Sequence, residues 1–249
     1  MAPWEPFGAK LMPKGCALTE RDIIGLVLSY LYAFGLLFAV EALGKRLRWP
    51  QYATRKLVHI GAGMWVWAIL AVFDTWLYGL IPFATFIVLN YLFYRYQLFQ
   101  AMDATDSSPG TVYFAFSITL LFALFWRTDG VDRVPLAVAA TMAMTWGDGV
   151  ASLVGQRFGR HCYTVFGHRR SWEGTVAMVM ASFGAVFITL LLLPASGLSP
   201  GSTGIPLSRA VILALVVAVV GALVEGLSPA GTDNLSVPVL TAAALYLLW

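Results

Sequence analysis

The chain has 249 residues, of which 59% are hydrophobic and only 12% charged, with a formal net charge of +3. A soluble domain carries about 25% charged residues, so this composition excludes an ordinary water-soluble protein and describes an integral membrane protein. The small net charge gives no reason to expect a nucleic-acid partner. Cys16 and Cys162 stand too far apart in sequence to suggest a disulfide framework or a metal-ligand pair.

In chain order, residues 1–22 read as a polar N-terminal tail without a cleavable signal segment, and 23–249 as one transmembrane domain. Apolar runs of roughly 17–25 residues can cross a bilayer as helices. They fall at 23–43, 57–73, 76–94, 110–126, 134–155, 175–193, 210–227 and 236–249. The last is short, so seven or eight spans are expected in an all-α, polytopic fold. A charge-free Gly/Ser/Pro stretch at 194–206 reads as a simple surface loop. The loops after spans one, three and five hold Lys45, Arg46, Arg48, Arg55, Lys56, Arg95, Arg157, Arg160, Arg169 and Arg170, ten of the sixteen Lys and Arg residues. Positive charge favours the cytosolic side, so these loops, and the polar clusters beside them, are placed there. Lys10, Lys14 and Arg21 in the tail argue mildly the other way.

Asp148 stands inside the fifth apolar run, where an ionisable group is costly and is by default functional. Ser152 lies one turn further on the same face. Gly147, Ala151 and Gly155 form a strip that permits close helix packing. The plain alternative is a buried acid paired with a cation for structure. Next comes a basic, glycine-punctuated loop that ends in Arg169-Arg170-Ser171-Trp172-Glu173-Gly174. A helix start with arginines beside it binds phosphate, although an interfacial anchor followed by a Ser171 cap would explain much of the pattern. No G-x-x-x-x-G-K-[ST] loop occurs, and Gly147-Asp148-Gly149 does not continue as a dinucleotide fingerprint, so any nucleotide is held differently. Between the last two spans, Glu225, Asp233 and Asn234 offer hard oxygen ligands suited to Mg²⁺, or Asp233 and Asn234 simply cap a helix. Arg55, Lys56 and His59 share one helical face. Asp103 and Asp106 precede Gly110-Thr-Val-Tyr-Phe114 as a weaker polar signal.

Four pieces taken together resemble the polyprenol kinase family, which includes dolichol kinase, phytol kinase and CTP-dependent diacylglycerol kinase. They are Arg55-Lys-Leu-Val-His59, Gly110-Thr-Val-Tyr-Phe114, Gly147-Asp-Gly through Gly159 and on to Arg170-Ser-Trp-Glu-Gly174, and Glu225 through Pro238. The third piece is also similar to that of CDP-diacylglycerol synthases, and the fourth resembles phytol kinase most closely. The family often has lysines where this chain has Arg169 and Arg170. That keeps the charge but replaces a point charge with a planar fork.

The resemblance implies a multi-pass lipid kinase whose catalytic domain is 23–249 and whose site faces the cytosol. It would transfer the γ-phosphate of CTP, with Mg²⁺, to a membrane-borne isoprenoid alcohol such as phytol, geranylgeraniol or a polyprenol. Asp148, Asp233 and Glu173 are the expected catalytic residues. Asp148, Asp233 and Glu225 are expected near the metal. Arg169, Arg170, Arg157, Ser152, Gly155, His59, Lys56 and Asn234 are expected around the nucleotide, with Asn234 also completing the metal site. The alternatives are a cytidylyltransferase that makes a CDP-lipid, a diacylglycerol kinase, or a transporter, whose site would lie nearer the midplane. A homodimer stays open. Single cysteines at Gln51, His168 and Ala230 are expected to react with an impermeant thiol reagent from the same, cytosolic, side; labelling of any one from the opposite side would break the single-site arrangement.

Overall fold

The computed structural model describes residues 17–96, 109–126, 132–229 and 231–249. The expected Asp103 and Asp106 lie outside them. Eight helices run in chain order: α1 Glu20–Leu47, α2 Gln51–Val72, α3 Trp76–Tyr96, α4 Gly110–Phe125, α5 Val134–Phe158, α6 Trp172–Leu192, α7 Leu207–Leu227 and α8 Asp233–Leu248. All eight expected spans are helices. Six of them are long and apolar enough to cross a membrane, whereas α4 and α8, with 16 residues each, are shorter apolar helices. The chain is an all-α polytopic membrane protein.

The helix ends follow local chemistry. Thr19 caps α1 with a capping box, its hydroxyl receiving the Asp22 amide while the Asp22 carboxylate receives the Thr19 amide. Asp22 is also buried and accepts from the amides of Asp74 and Thr75, which fastens the α2–α3 turn to the start of α1. Pro50, Pro109 and Pro206 stand at the N-caps of α2, α4 and α7. Proline suits these positions because the first turn leaves its amides unpaired anyway.

The bundle is organised around α5. It is buried continuously from Val134 to Thr145, and α2, α4, α6, α7 and α8 all pack on it. Its Ala- and Gly-rich sequence explains this, because lipid offers no hydrophobic drive between helices and small residues let backbones approach. A Cβ on Gly147 would strike the Ser182 hydroxyl and come within 2.7 Å of Met178 Sδ on α6. Ser182 in turn donates to the Ala143 carbonyl at 3.0 Å. On the other flank Gly63 of α2 sits against Thr145, and Gly149 of α5 sits 2.7 Å, by its would-be Cβ, from Ile60. These glycines bring α2 and α5 together antiparallel, with Lys56 level with Asp148.

Two local readings need correction. The basic loop after α5 contains a two-stranded antiparallel hairpin, β1 Cys162–Val165 and β2 His168–Ser171, in register Val165↔His168 and Tyr163↔Arg170. Its turn residues Phe166 and Gly167 both have positive φ, 46° and 80°, the backbone a two-residue type I′ connection demands. A hairpin alone is marginal in water. Here the Tyr163 and Trp172 rings lie 5.0 Å apart, the Tyr163 and Thr175 hydroxyls are 2.7 Å apart, and Glu173 accepts from the amide of His161. The 194–206 connector is not a simple surface loop either. Ser199 and Ser202 are buried, and Ser199 donates to Asp132 at 2.6 Å, which clips the connector to the start of α5.

Replacing Gly147 by Val should overpack the α5–α6 seam at a cost of about 1–3 kcal/mol. A lowered thermal midpoint in detergent is the expected reading; an unchanged midpoint would mean that these helices do not meet there.

Candidate functional site

One end of the bundle gathers the start of α2, the end of α5, the hairpin, the start of α6 and the α7–α8 junction around a cavity of about 550 Å³. Helix phase decides which side chains reach it. On α5, Asp148, Ala151, Ser152, Gly155, Gln156 and Gly159 line the wall, the single stripe that a 3.6-residue period projects on one side. Asp148 stands well inside α5. The helix runs to Phe158 rather than ending near Gly155, so the carboxylate sits about 15 Å from the helix end.

Asp148 is held by α2. Lys56 Nζ donates to its Oδ2 at 2.6 Å, and the two side chains are only 17% and 6% exposed. His59, one turn on, places Nε2 3.6 Å from the same oxygen, donates to the Met144 carbonyl at 3.4 Å, and sets its ring at a tilt of 53° against Phe114, centroids 4.5 Å apart. Across the cavity Arg170 of β2 forms an ion pair with Glu225 of α7 and donates from Nη2 to the Ser228 carbonyl at 3.0 Å. Ser228 and Ser236 hydroxyls meet at 2.6 Å and tie the end of α7 to α8. Gly231, with φ 82°, makes the sharp turn that starts α8 at Asp233. Asp233 is buried; its Oδ1 accepts the Asn234 amide at 2.9 Å, and it meets no cation at ion-pair distance among the described residues. Pro238 has no amide to give the Asn234 carbonyl one turn back.

Among the described residues, three buried side-chain polar atoms lack a partner: Thr145 Oγ1, Arg170 Nε and Asn234 Oδ1. Two of them belong to the walls of this cavity. A buried polar atom left unpaired costs about 1–3 kcal/mol, so a site that keeps two is shaped for something that supplies the missing bonds.

Of the expected residues, Asp148, Asp233, Asn234, Glu225, Lys56, Ser152, Gly155, Arg169 and Arg170 all line this cavity. His59 lines a smaller space that adjoins it. Two expected residues stand outside. Arg157 is nine residues beyond Asp148, half a turn out of phase, and is exposed on the opposite face of α5. Glu173 turns away to His161, accepting from its amide at 3.2 Å and pairing with Nδ1 at 2.8 Å. It anchors the hairpin rather than facing the cavity. Glu225 faces Arg170 and is not an open ligand position. Tyr52, Gln156, His168 and Thr175 also line the wall without having been expected. Tyr52 and Gln156 were available from spacing, one turn before Lys56 and one turn after Ser152. His168 depends on the hairpin register, which carries no sequence signature this short.

No group of three or more His, Cys, Asp or Glu side chains converges as a ready metal cage among the described residues. The donor set does fit a cation that arrives with its own ligands. Mg²⁺ keeps several waters and takes one or two carboxylates together with substrate phosphates. Such a cation would find Asp148 and Asp233 in this cavity together with Arg169 and Arg170.

Comparison with known proteins gives consistent relatives. The chain is 37% identical over 243 residues to the phytol kinase of Synechocystis sp., covering 91% of this chain and 92% of that protein. It is 30% identical to a probable phytol kinase of Oryza sativa subsp. japonica, covering 92% and 77% of the two chains. It is 26% identical to the farnesol kinase of Arabidopsis thaliana, covering 97% and 79%. No protein-family model matches, and no solved structure matches.

Removing the Arg170 side chain leaves the buried Glu225 carboxylate uncompensated, which typically destabilises by about 3–5 kcal/mol. Arg170→Ala should therefore melt well below the wild type, and Arg170→Ala with Glu225→Gln should recover much of the loss. Equal melting of the single and double variants would show that the pair does not stabilise the fold.

Proposed function

Since the chain belongs to the phytol and polyprenol kinase family, we propose that it is an isoprenoid alcohol kinase that takes the γ-phosphate of CTP with Mg²⁺ at a cytosol-facing site. The observation that carries the reading is the pairing of two buried carboxylates, Asp148 and Asp233, with Lys56, Arg169 and Arg170 around a 550 Å³ cavity at one end of an apolar bundle. A polyanionic, water-soluble donor needs cations and access from water. An isoprenoid acceptor needs access from lipid. Only a site at the membrane surface meets both needs, and the charge bias of the loops supports the cytosolic side.

Phosphoryl transfer asks the protein mainly for positioning and charge neutralisation. Arg169, Arg170 and Lys56 bind the phosphates, and the arginines present planar forks suited to paired oxygens. Glu225 holds the Arg170 guanidinium in place. Bound Mg²⁺ would neutralise charge on the phosphates, held by Asp148. The alcohol oxygen forms the new bond to the γ-phosphorus, the bond from that phosphorus to the β–γ bridging oxygen breaks, and CDP leaves with the electron pair. The hydroxyl proton passes to Asp233, the carboxylate that no protein cation occupies among the described residues. Closing the helices around the reacting atoms excludes water that would otherwise compete as acceptor.

CTP labelled on its γ-phosphate, with Mg²⁺ and an isoprenoid alcohol, should yield labelled lipid monophosphate and unlabelled CDP from the purified protein. Asp148→Asn and Asp233→Asn should each lower this transfer by roughly 100-fold or more, as loss of a charge-positioning group does, while the folded protein is still recovered. Label in pyrophosphate, with a CDP-lipid as product, would replace the kinase reading with a cytidylyltransferase. Near wild-type transfer by either variant would remove that residue from its role.

A further inference from the structure

The large polar cavity is not alone. A second space of about 50 Å³ adjoins it and shares Arg55, Lys56 and Asn234 with it. A third, of about 100 Å³, lies deeper among α1, α2, α3 and α4 and shares Val58, Thr111 and Phe114 with the second. Neighbouring spaces share wall residues, so the three lie one after another from the charged end of the bundle towards its apolar interior. The narrow middle stretch runs past His59, Gly110 and Asn234. A Cβ on Gly110 would stand 3.0 Å from the Asn234 amide nitrogen and 3.3 Å from Gly231, so a glycine is what leaves room there.

The polar groups along this path are arranged in a way that names its occupant. In the deep cavity every hydrogen-bonding side chain with a recorded bond is turned onto the protein itself. Tyr32 donates to the Gly61 carbonyl at 2.7 Å, Trp65 to the Ser29 hydroxyl at 3.0 Å, Ser29 to the Gly25 carbonyl at 2.7 Å, and Asn90 to the Thr111 carbonyl at 2.9 Å. What remains facing the space is mainly hydrocarbon and ring surface, including Phe83, Phe86 and Phe114, with Thr111 at the end nearest the middle space. At the other end of the passage the pattern reverses. Asn234 borders both the middle space and the polar cavity, and its Oδ1 is buried without a partner among the described residues. A molecule that matches this path is apolar along its length and carries one hydroxyl at its tip.

We propose that the acceptor alcohol binds in this passage, with its isoprenoid tail among α1–α4 and its hydroxyl donating to Asn234 Oδ1 beside Asp233. The proposal rests on the kinase reading above. It gives Asn234 to the alcohol rather than to the metal, and it makes the small residues Ala62 and Ala115, which line the deep cavity, the determinants of which tails fit. The hydroxyl bond to Asn234 orients the oxygen towards the γ-phosphate, and the enclosed tail keeps water out of the passage.

Three measurements on the full-length protein in lipid nanodiscs test this. Ala115→Leu, and independently Ala62→Leu, should raise the KM for geranylgeraniol by roughly 10-fold, the scale on which a filled apolar pocket discriminates, and leave the KM for CTP and turnover of the five-carbon alcohol prenol near wild type. Asn234→Ala should raise the geranylgeraniol KM and lower kcat without changing the CTP KM or the Mg²⁺ dependence. Geranylgeraniol carrying a diazirine on its second isoprene unit should crosslink the wild-type protein at α1–α4, with labelled peptides that contain Tyr32, Phe86 or Phe114. Crosslinks confined to α6–α8, or an Ala115→Leu effect equal for both alcohols, would overturn the passage while phosphate transfer to geranylgeraniol stands. A shift in Mg²⁺ dependence in Asn234→Ala would return that residue to the metal. Crosslinking at α1–α4 without any phosphate transfer would support the passage and sink the kinase reading instead.

Discussion

A carboxylate enclosed by an apolar bundle must be matched by a cation or by hydrogen-bond donors, and this chain meets that constraint with cations twice in one place. Lys56 lies on Asp148 and Arg170 lies on Glu225. Removing an ion from water costs several kcal/mol even after the protein relaxes, so each pair is tolerable only if both partners are delivered to the same depth. Four different elements carry these four residues. The packing of α2 on α5, the hairpin on α7, and α7 on α8 therefore has to be correct for the charges to be neutral. The polar end and the glycine seams are one design: Gly63, Gly147 and Gly149 set helix separations, and those separations set whether Lys56 reaches Asp148.

The third carboxylate breaks this symmetry. Asp233 is buried beside the two pairs yet receives only the amide of its neighbour. Together with the unpartnered atoms of Asn234 and Arg170, it leaves the site with one carboxylate outside any ion pair and short of hydrogen bonds among the described residues. A purely structural cluster would close those gaps. A site that binds a metal-nucleotide on one side and an alcohol on the other would leave them open, and the division between a charged cavity and an apolar passage follows the same line. The hairpin belongs to this logic: it presents Arg169 and Arg170 from a strand fixed to the start of α6 through Tyr163, Trp172 and Glu173. That arrangement suits cations that must follow a ligand more than they must fill a core.

Much was legible from the chain itself. Eight apolar runs gave eight helices with boundaries close to those observed, because hydrocarbon leaves the backbone no alternative to internal hydrogen bonding. Asp148, Asp233, Lys56 and Arg170 stood out because charge inside apolar sequence is expensive, and all four reach the same cavity. The Gly147-Ala151-Gly155 strip was visible as a packing face for the same reason. Glu173 and Arg157 stood out on equal grounds but face elsewhere, since sequence proximity to a motif says nothing about which side of a helix start or which phase of a helix end a side chain takes.

The sequence by itself determined the class of protein, seven or eight spanning helices, the end of the bundle where charge accumulates, and, through its motifs, the family to which the chain belongs. The first three follow from composition and local period, the last from the resemblance of four motif pieces, and all survive without knowing a single contact. Only the tertiary structure decided that Lys56 answers Asp148 and Arg170 answers Glu225, that the basic loop is a hairpin, and that an apolar passage among α1–α4 meets the charged cavity at Asn234. Each of these joins residues dozens of positions apart, and their meeting depends on helix separation and rotation, quantities that emerge from packing the whole bundle and are written in no local stretch of chain.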